Sequence, residues 1–362
     1  MLTFLIFILV IGVLVLVHEA GHFFVAKWAG MKVEEFGFGF PPRLWGWKKG
    51  ETTYSINWIP FGGFVKILGE SHEAANDPRS FSSKPASKRM AVIVAGVLMN
   101  VLLAYVLLVP VSLIGSRVLL DEKHLDPEAR NLQINILQVA PNSPAAEIGW
   151  QPGDRFIAVR VENAITPITS VQQLQTIINS NLGKNIFVTL ERAGKTMTVP
   201  VVPRLNPPAG EGPLGIQLGL TGEIKYSWQE APIEAAKATY WITTQTGLAF
   251  YGLIKQLVLN QKLAGELSGP IAIAQYTGQA ARLGLVRLLE FMALISVNLA
   301  ILNILPFPAL DGGRLLLIII EKLKGSPVSP KVENSLNAIG FVLLILLMIY
   351  VTTKDVIKIF NF

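Results

Sequence analysis

The chain contains no cysteine and only four histidines among its 362 residues. The first absence excludes disulfides and any zinc site built on thiolates, without fixing the compartment. The second means that an imidazole metal site must draw on His18, His22, His72 or His124. Charge is scarce as well: 15% of residues are Asp, Glu, Lys or Arg, where soluble domains carry about a quarter. The net charge of +6 is spread along the chain. No basic stripe stands out, which argues against a nucleic-acid partner. The N-terminal apolar stretch lacks a basic n-region and an A-x-A-like site after it, so a cleaved signal peptide is not expected.

What is abundant is apolar length. Half the residues are hydrophobic (51%), and the mean hydropathy is +0.47. Four stretches approach the roughly 20 apolar residues a bilayer span needs. They are Met1 to about Ala26, Met90–Ser116, Phe291–Leu310 and Asn334–Thr353. The expected class is therefore a multi-span α-helical membrane protein with about four transmembrane helices. Residues 27–89 hold ten Lys and Arg, and Arg314, Lys322, Lys324 and Lys331 follow the third span. The positive-inside rule puts both loops in the cytoplasm and both termini outside, with 117–289 on the outer side. Lys354 and Lys358 pull mildly the other way.

The intervening segments differ in character. In 27–89, "VEEFGFGF" and "TTYSINWIPFGGFVKI" are aromatic and β-branched with Gly and Pro punctuation, so they read as strands and hairpins. Their apolarity suggests a membrane-associated β-region, whose edge could pair with an extended peptide. Residues 117–205 read as a soluble β-rich domain with its lead-in. Ser143-Pro144-Ala145-Ala146 with Gly149, Pro152, Gly153 and Asp154 resembles the signature of bacterial PDZ domains. That resemblance implies a small β-barrel whose peptide groove is formed partly by Ile134–Val139. Only one such signature occurs. Residues 206–289 read as a linker, "NPPAGEGP", and amphipathic helices; Ile233–Leu259 fits either an amphipathic helix at the outer surface or one packed on the spans.

Chemistry concentrates in "VLVLVHEAGHFF". On a helix, His18 and His22 share one face, at the spacing with which two imidazoles bind one Zn²⁺. Glu19 lies beside them as the candidate base for a zinc-activated water. Ionisable residues inside a span cost about 2.5–3.5 kcal/mol each on insertion scales, so three within one turn need a reason. A catalytic zinc takes a third protein ligand. Asp311 is the candidate, at the end of "NLAILNILPFPALDGGR", where Pro306 and Pro308 break the helix. The span with this motif is expected over 290–323, and the fourth over 334–354. His72 and His124 fall in loops on opposite sides and read as solvated. Asn303 could bind a substrate backbone or the reacting carbonyl; Asn303 and Asn298 could instead serve helix–helix hydrogen bonds.

"HEAGH", "GFGF", the PDZ-like insert and "NILPFPALDGGR" occur in this order, and together the chain resembles the bacterial site-2 protease family over nearly its whole length. The resemblance implies zinc-dependent cleavage of transmembrane segments of single-span proteins in regulated intramembrane proteolysis, in the cytoplasmic (inner) membrane. Anti-sigma factors and signal-peptide remnants are the implied substrates. It carries His18, His22 and Asp311 over as zinc ligands, Glu19 as general base and Asn303 as a substrate-positioning residue. Gly37, Phe38 and Gly39 carry over as part of the β-region that holds substrate as an added strand. The PDZ part implies a filter whose groove takes extracytoplasmic peptide C-termini. The family's best-known member has tandem PDZ domains, against one signature here. Two rival readings remain: a non-catalytic membrane scaffold with a peptide-binding PDZ domain, and a membrane-anchored zinc hydrolase whose site lies in a soluble domain.

Overall fold

The computed structural model describes residues 2–70, 76–120, 128–192, 194–259 and 269–360. His72 and His124 lie outside them. In chain order the first elements are α1 (Leu2–Trp28), β1 (Val33–Lys49), β2 (Thr52–Ile67) and α2 (Ala86–Ile114). Then come β3 (Ser116–Leu119), β4 (Arg130–Val139), α3 (Pro144–Glu147), β5 (Arg155–Val161), β6 (Ala164–Pro167), α4 (Val171–Ser180), β7 (Ile186–Arg192), β8 (Lys195–Val201) and β9 (Ile216–Ile224). Five helices close the chain: α5 (Ala231–Val258), α6 (Pro270–Arg282), α7 (Leu285–Ile304), α8 (Asp311–Lys324) and α9 (Pro330–Phe360). The chain divides into two compact units, Met1–Val111 with Gln229–Phe362, and Ser112–Trp228.

In the first unit, α1, α2, α7 and Pro330–Ile357 are long and apolar enough to cross a membrane. Helix α1 stops where Gly30 adopts φ +71°. The Met31 amide returns to the Ala26 carbonyl at 2.9 Å and Gly30 to Lys27 at 3.0 Å, a glycine-dependent stop that satisfies the last carbonyls. Helix α2 buries Val92, Gly96, Asn100, Ala104 and Leu108, a ridge of four-residue spacing that faces its neighbours. Small residues let backbones close in: a Cβ on Gly21 of α1 would stand 2.5 Å from the Ala95 carbonyl oxygen.

The segment expected as one span over 290–323 is two helices, α7 and α8, separated by Leu305–Leu310. Proline at 306 and 308 cannot continue the hydrogen-bond ladder. The turn folds back so tightly that any Cβ at 312 or 313 would strike the backbone of Ile304, Leu305 or Phe307. Asp311 therefore opens α8 at a clamped position. Helix α5 packs Ala235, Ala238 and Ile242 against Leu108, Ala293 and Val297, while Tyr240, Trp241 and Tyr251 stay exposed. Helix α6, inside the 206–289 stretch expected to hold amphipathic helices, lacks its own side-chain cap. Asp355 of α9 supplies one, accepting from the Gly269 and Ala272 amides at 3.2 and 3.0 Å.

β1 and β2 form more than a simple hairpin. Both are long and bent, so that Phe36, Gly37 and Phe38 pair with Tyr54, Ser55 and Ile56 on one side and with Val65, Phe64 and Gly63 on the other. Tyr54, Ser55 and Ile56 in turn pair also with Trp47, Gly46 and Trp45. Four rungs result, and the middle two have no open edge. This corrects the expectation that the part of the β-region around Gly37 and Phe38 offers an edge to a peptide. The outer rungs are Arg43–Lys49 and Gly63–Ile67, and no described strand pairs with their outer sides.

The second unit is a sheet of order β3-β9-β4-β5-β7-β8, with β6 beside β5. Its core gathers Ile134, Ile136, Trp150, Phe156, Val159, Leu174, Ile186, Val188 and Leu190, the alternate inward residues of the strands with one face of α4. Ser143 and Ser170 cap α3 and α4, accepting from Ala146 and Gln173. The buried Asp154 carboxylate receives both Arg192 Nε and an Arg192 terminal nitrogen at 2.6 Å, and the Gln151 amide at 2.9 Å. The Gln-Pro-Gly-Asp turn is thus tied to the end of β7. β4 is paired by β9 and by β5 at Ile134 and Asn135. Only its end, Gln138 and Val139, borders an open groove.

Candidate active site

Helix α1 places His18 and His22 one turn apart, and α8 brings Asp311 to them from the far end of the sequence. His18 Nε2 and His22 Nε2 are 3.2 Å apart, and each faces Asp311 Oδ2, at 3.1 and 3.2 Å. Ligands at 2.0–2.1 Å from a tetrahedral zinc are separated by about 3.3 Å, so this triangle fits the ion. Asp311 Oδ2 is buried without a conventional hydrogen bond from a described residue; a cation is the partner its surroundings suit.

The imidazoles are held from behind. His22 Nδ1 lies 2.8 Å from the Val92 carbonyl and so carries the proton, which leaves the Nε2 lone pair for a metal. His18 Nδ1 lies 3.4 Å from the Asn100 amide nitrogen, while Asn100 Oδ1 is buried and unbonded. Turning the amide over lets Oδ1 accept from His18 Nδ1–H. Asn100 also accepts at its backbone oxygen from Ser296 Oγ of α7, at 2.7 Å. Gly96 sits against both rings: a Cβ there would run into His22 and stand 2.8 Å from His18 Cε1. Neither Gly96 nor Asn100 was singled out from sequence. Asn100 could have been, since a lone amide amid apolar residues is the signal that marked Asn298 and Asn303. Asn100→Ala is expected to weaken zinc binding about 10–100-fold, the usual cost of losing an outer partner. Asn100→Asp keeps the acceptor and is expected to retain most of it. Competition with a zinc chelator measures both.

Glu19 lines a cavity of about 190 Å³ together with His22, Val65, Glu70, Asp311 and Arg314, and Gly63 of β2 lies beside its side chain. Arg314 pairs with Glu70 at the rim. Asn303 comes to the cluster, its amide nitrogen 3.4 Å from His18 Nε2. Asn298 does not; it donates to the Leu294 carbonyl of its own helix at 2.9 Å. Gly37 and Phe38 sit inside the sheet, and the Phe38 ring would meet a Cβ on Gly12 of α1 at 3.0 Å. Gly39 adopts φ +78°, and a Cβ there would stand 2.5 Å from the Ile59 carbonyl. These three shape the sheet from within.

A His-Glu-x-x-His helix that meets a carboxylate from another apolar segment, in a chain with four membrane-length helices, defines a membrane-embedded metallopeptidase. The model of peptidase family M50 matches residues 6–347. A Clostridium acetobutylicum protein named "Putative zinc metalloprotease" is 35% identical over 98% of this chain and 97% of its own length. A Nostoc protein of the same description is 34% identical over 96% and 94%. The regulator of sigma-E protease of Escherichia coli is 31% identical over 94% and 95%. The chain belongs to peptidase family M50, the site-2 proteases, and is a zinc-dependent protease of that family.

Proposed function

We propose that the protein cuts the transmembrane segments of single-span membrane proteins, with His18, His22 and Asp311 holding the zinc. The observation that carries this reading is the triangle of three ligand atoms, two on the membrane-length helix α1 and the third at the start of α8, just after the membrane-length helix α7. When bound, zinc supplies Lewis-acid activation of water and of the scissile carbonyl. Glu19 takes the proton from the attacking water and delivers it to the leaving amide nitrogen as the C–N bond breaks. The Asn303 amide orients the scissile carbonyl from the His18 side. An unwound substrate segment adds as a strand to the outer edge of Gly63–Ile67, the open edge beside Glu19, which replaces the edge expected from sequence. The cavity at Glu19 and Arg314 admits water.

Substrates of the anti-sigma-factor and signal-peptide-remnant kind are supported by the likeness to the regulator of sigma-E protease. Loop 27–89 and the third-to-fourth connection face the cytoplasm and both termini face outward, in keeping with the ten Lys and Arg of the first and with Arg314, Lys322, Lys324 and Lys331 of the second. The second unit is a PDZ domain that admits substrates already shortened outside, a reading supported by its capped Ser143 turn, its Asp154 tie and the helix α4. A non-catalytic scaffold has no use for three ligand atoms at zinc spacing. A site in the soluble unit is disfavoured because Asp311 belongs to the helical one. The test is cleavage of a purified single-span substrate in liposomes. Cleavage is expected to stop on zinc chelation and return on adding zinc; cleavage that persists through chelation would sink the reading.

A further inference from the structure

The two halves of β9 differ. Thr221 and Glu223 are paired with β4, and Thr221–Ile224 are paired on the opposite side with β3, across Leu119 to Ser116. The Leu120 amide adds one more rung, donating to the Leu220 carbonyl at 2.8 Å. Beyond it, Ile216–Gly219 are paired with β4 alone among the described residues. That side opens into a groove of about 940 Å³ lined by Ile216, Gln217, Leu218, Val139, Pro141 and Gln175 of α4.

β9 is shaped for this occupant in its paired half and at Gly219, where the open half begins. A Cβ at Gly219 would stand 2.5 Å from Leu119 Cδ1, and one at Gly222 would stand 2.7 Å from Leu120 Cδ1. Both are well inside the 3.5–4.0 Å at which carbons pack. Two glycines thus leave β9 bare where the leucines of this segment lie. Arg117 anchors it further, donating to Glu223 Oε1 at 2.7 Å and to the Asn131 carbonyl at 3.2 Å.

β3 runs antiparallel to β9 and heads toward Gly215. A peptide strand added to the open half in the same sense has its C-terminus at Gly215. There the edge ends: Gly215 turns at φ +70°, its amide donating to Gly212 at 2.9 Å. The Arg204 guanidinium stands at this closed end, held by Glu211 at 2.6 Å, a cation placed to meet a terminal carboxylate.

We propose that Ser116–Leu120 is a stop lodged in the peptide groove, so that the unit reads at most the last four residues of an extended peptide, opposite Ile216–Gly219. This rests on the reading of the unit as a peptide-binding PDZ domain. A longer ligand meets Leu120 at its fifth residue from the end and leaves the edge there. Side chains upstream of that point contribute nothing to recognition.

The experiment pans the full chain, purified in detergent, against an octapeptide library randomised at all eight positions and ending in a free carboxylate. Enrichment confined to the last four positions is expected. Enrichment that reaches the fifth position or beyond overturns the stop while keeping the groove. No enrichment at any position overturns the groove reading, and the stop with it. In Leu119→Asp/Leu120→Asp the pattern is expected to lengthen past four positions; an unchanged four-position pattern in this binding-competent variant also overturns the stop. Because that variant could misfold, Arg117→Cys/Glu223→Cys serves as the second. It forms a cross-strand disulfide in a chain with no other cysteine and is expected to keep the four-position pattern; a longer pattern with β3 locked contradicts the proposal.

Discussion

Glu19→Gln is expected to reduce cleavage of a single-span substrate by about 10²–10⁴-fold, the range a positioned general base contributes, and to leave one zinc per chain. The two readouts separate because Glu19 lies beside the ligand triangle without belonging to it. The amide fills the same space but cannot take a proton from water. Substrate still enters the cavity, so the variant is expected to co-purify with uncut substrate. Metal analysis and a single-turnover cleavage assay on the same preparation decide it. Full activity, or loss of zinc with loss of activity, would contradict the role given to Glu19.

Asp311→Ala is expected to fail at an earlier step. Two imidazoles on one helical turn remain, but the third corner of the triangle is gone. Losing an outer-sphere partner already costs about 10–100-fold in metal affinity, and a direct ligand costs more. Zinc content is therefore expected to fall well below one per chain after dialysis against a weak chelator, with cleavage falling in parallel. Retained zinc with lost activity would assign Asp311 to chemistry instead of coordination. Retention of both would point to a third ligand elsewhere.

The cluster of His18, His22 and Asp311 was legible because each half is local. His18, Glu19 and His22 need only helical spacing, and Asp311 announces itself through the prolines and glycines that clamp its turn. Their meeting across almost the whole chain could be guessed only because so few ligand-type residues lie in apolar surroundings. The β-region was legible as strands but not as a sheet. Pairing depends on where Val33–Lys49 and Thr52–Ile67 bend, and the bends give each strand two different partners. Reading "GFGF" as an edge ignored that possibility. Asn298 drew notice by composition alone, while its amide turns to Leu294 of its own helix, a choice that sequence does not encode. The β3 stop was illegible for a related reason. Five residues after a span carry no motif, and their meaning comes from two glycines about a hundred residues later.

The ligand triangle has a consequence for mechanical integrity. On the proposed ligand set, metal held by His18 and Asp311 would close a ring of roughly 290 residues, linking distant points whose loop otherwise costs entropy that grows slowly with length. The ion would then be a fastener as well as a reagent. Stripping it opens the ring at the place where α1, α2 and α8 converge, and these helices should then separate more readily. Metal-free protein is expected to lose protease resistance in the helical unit first, before the Asp154-tied sheet is affected.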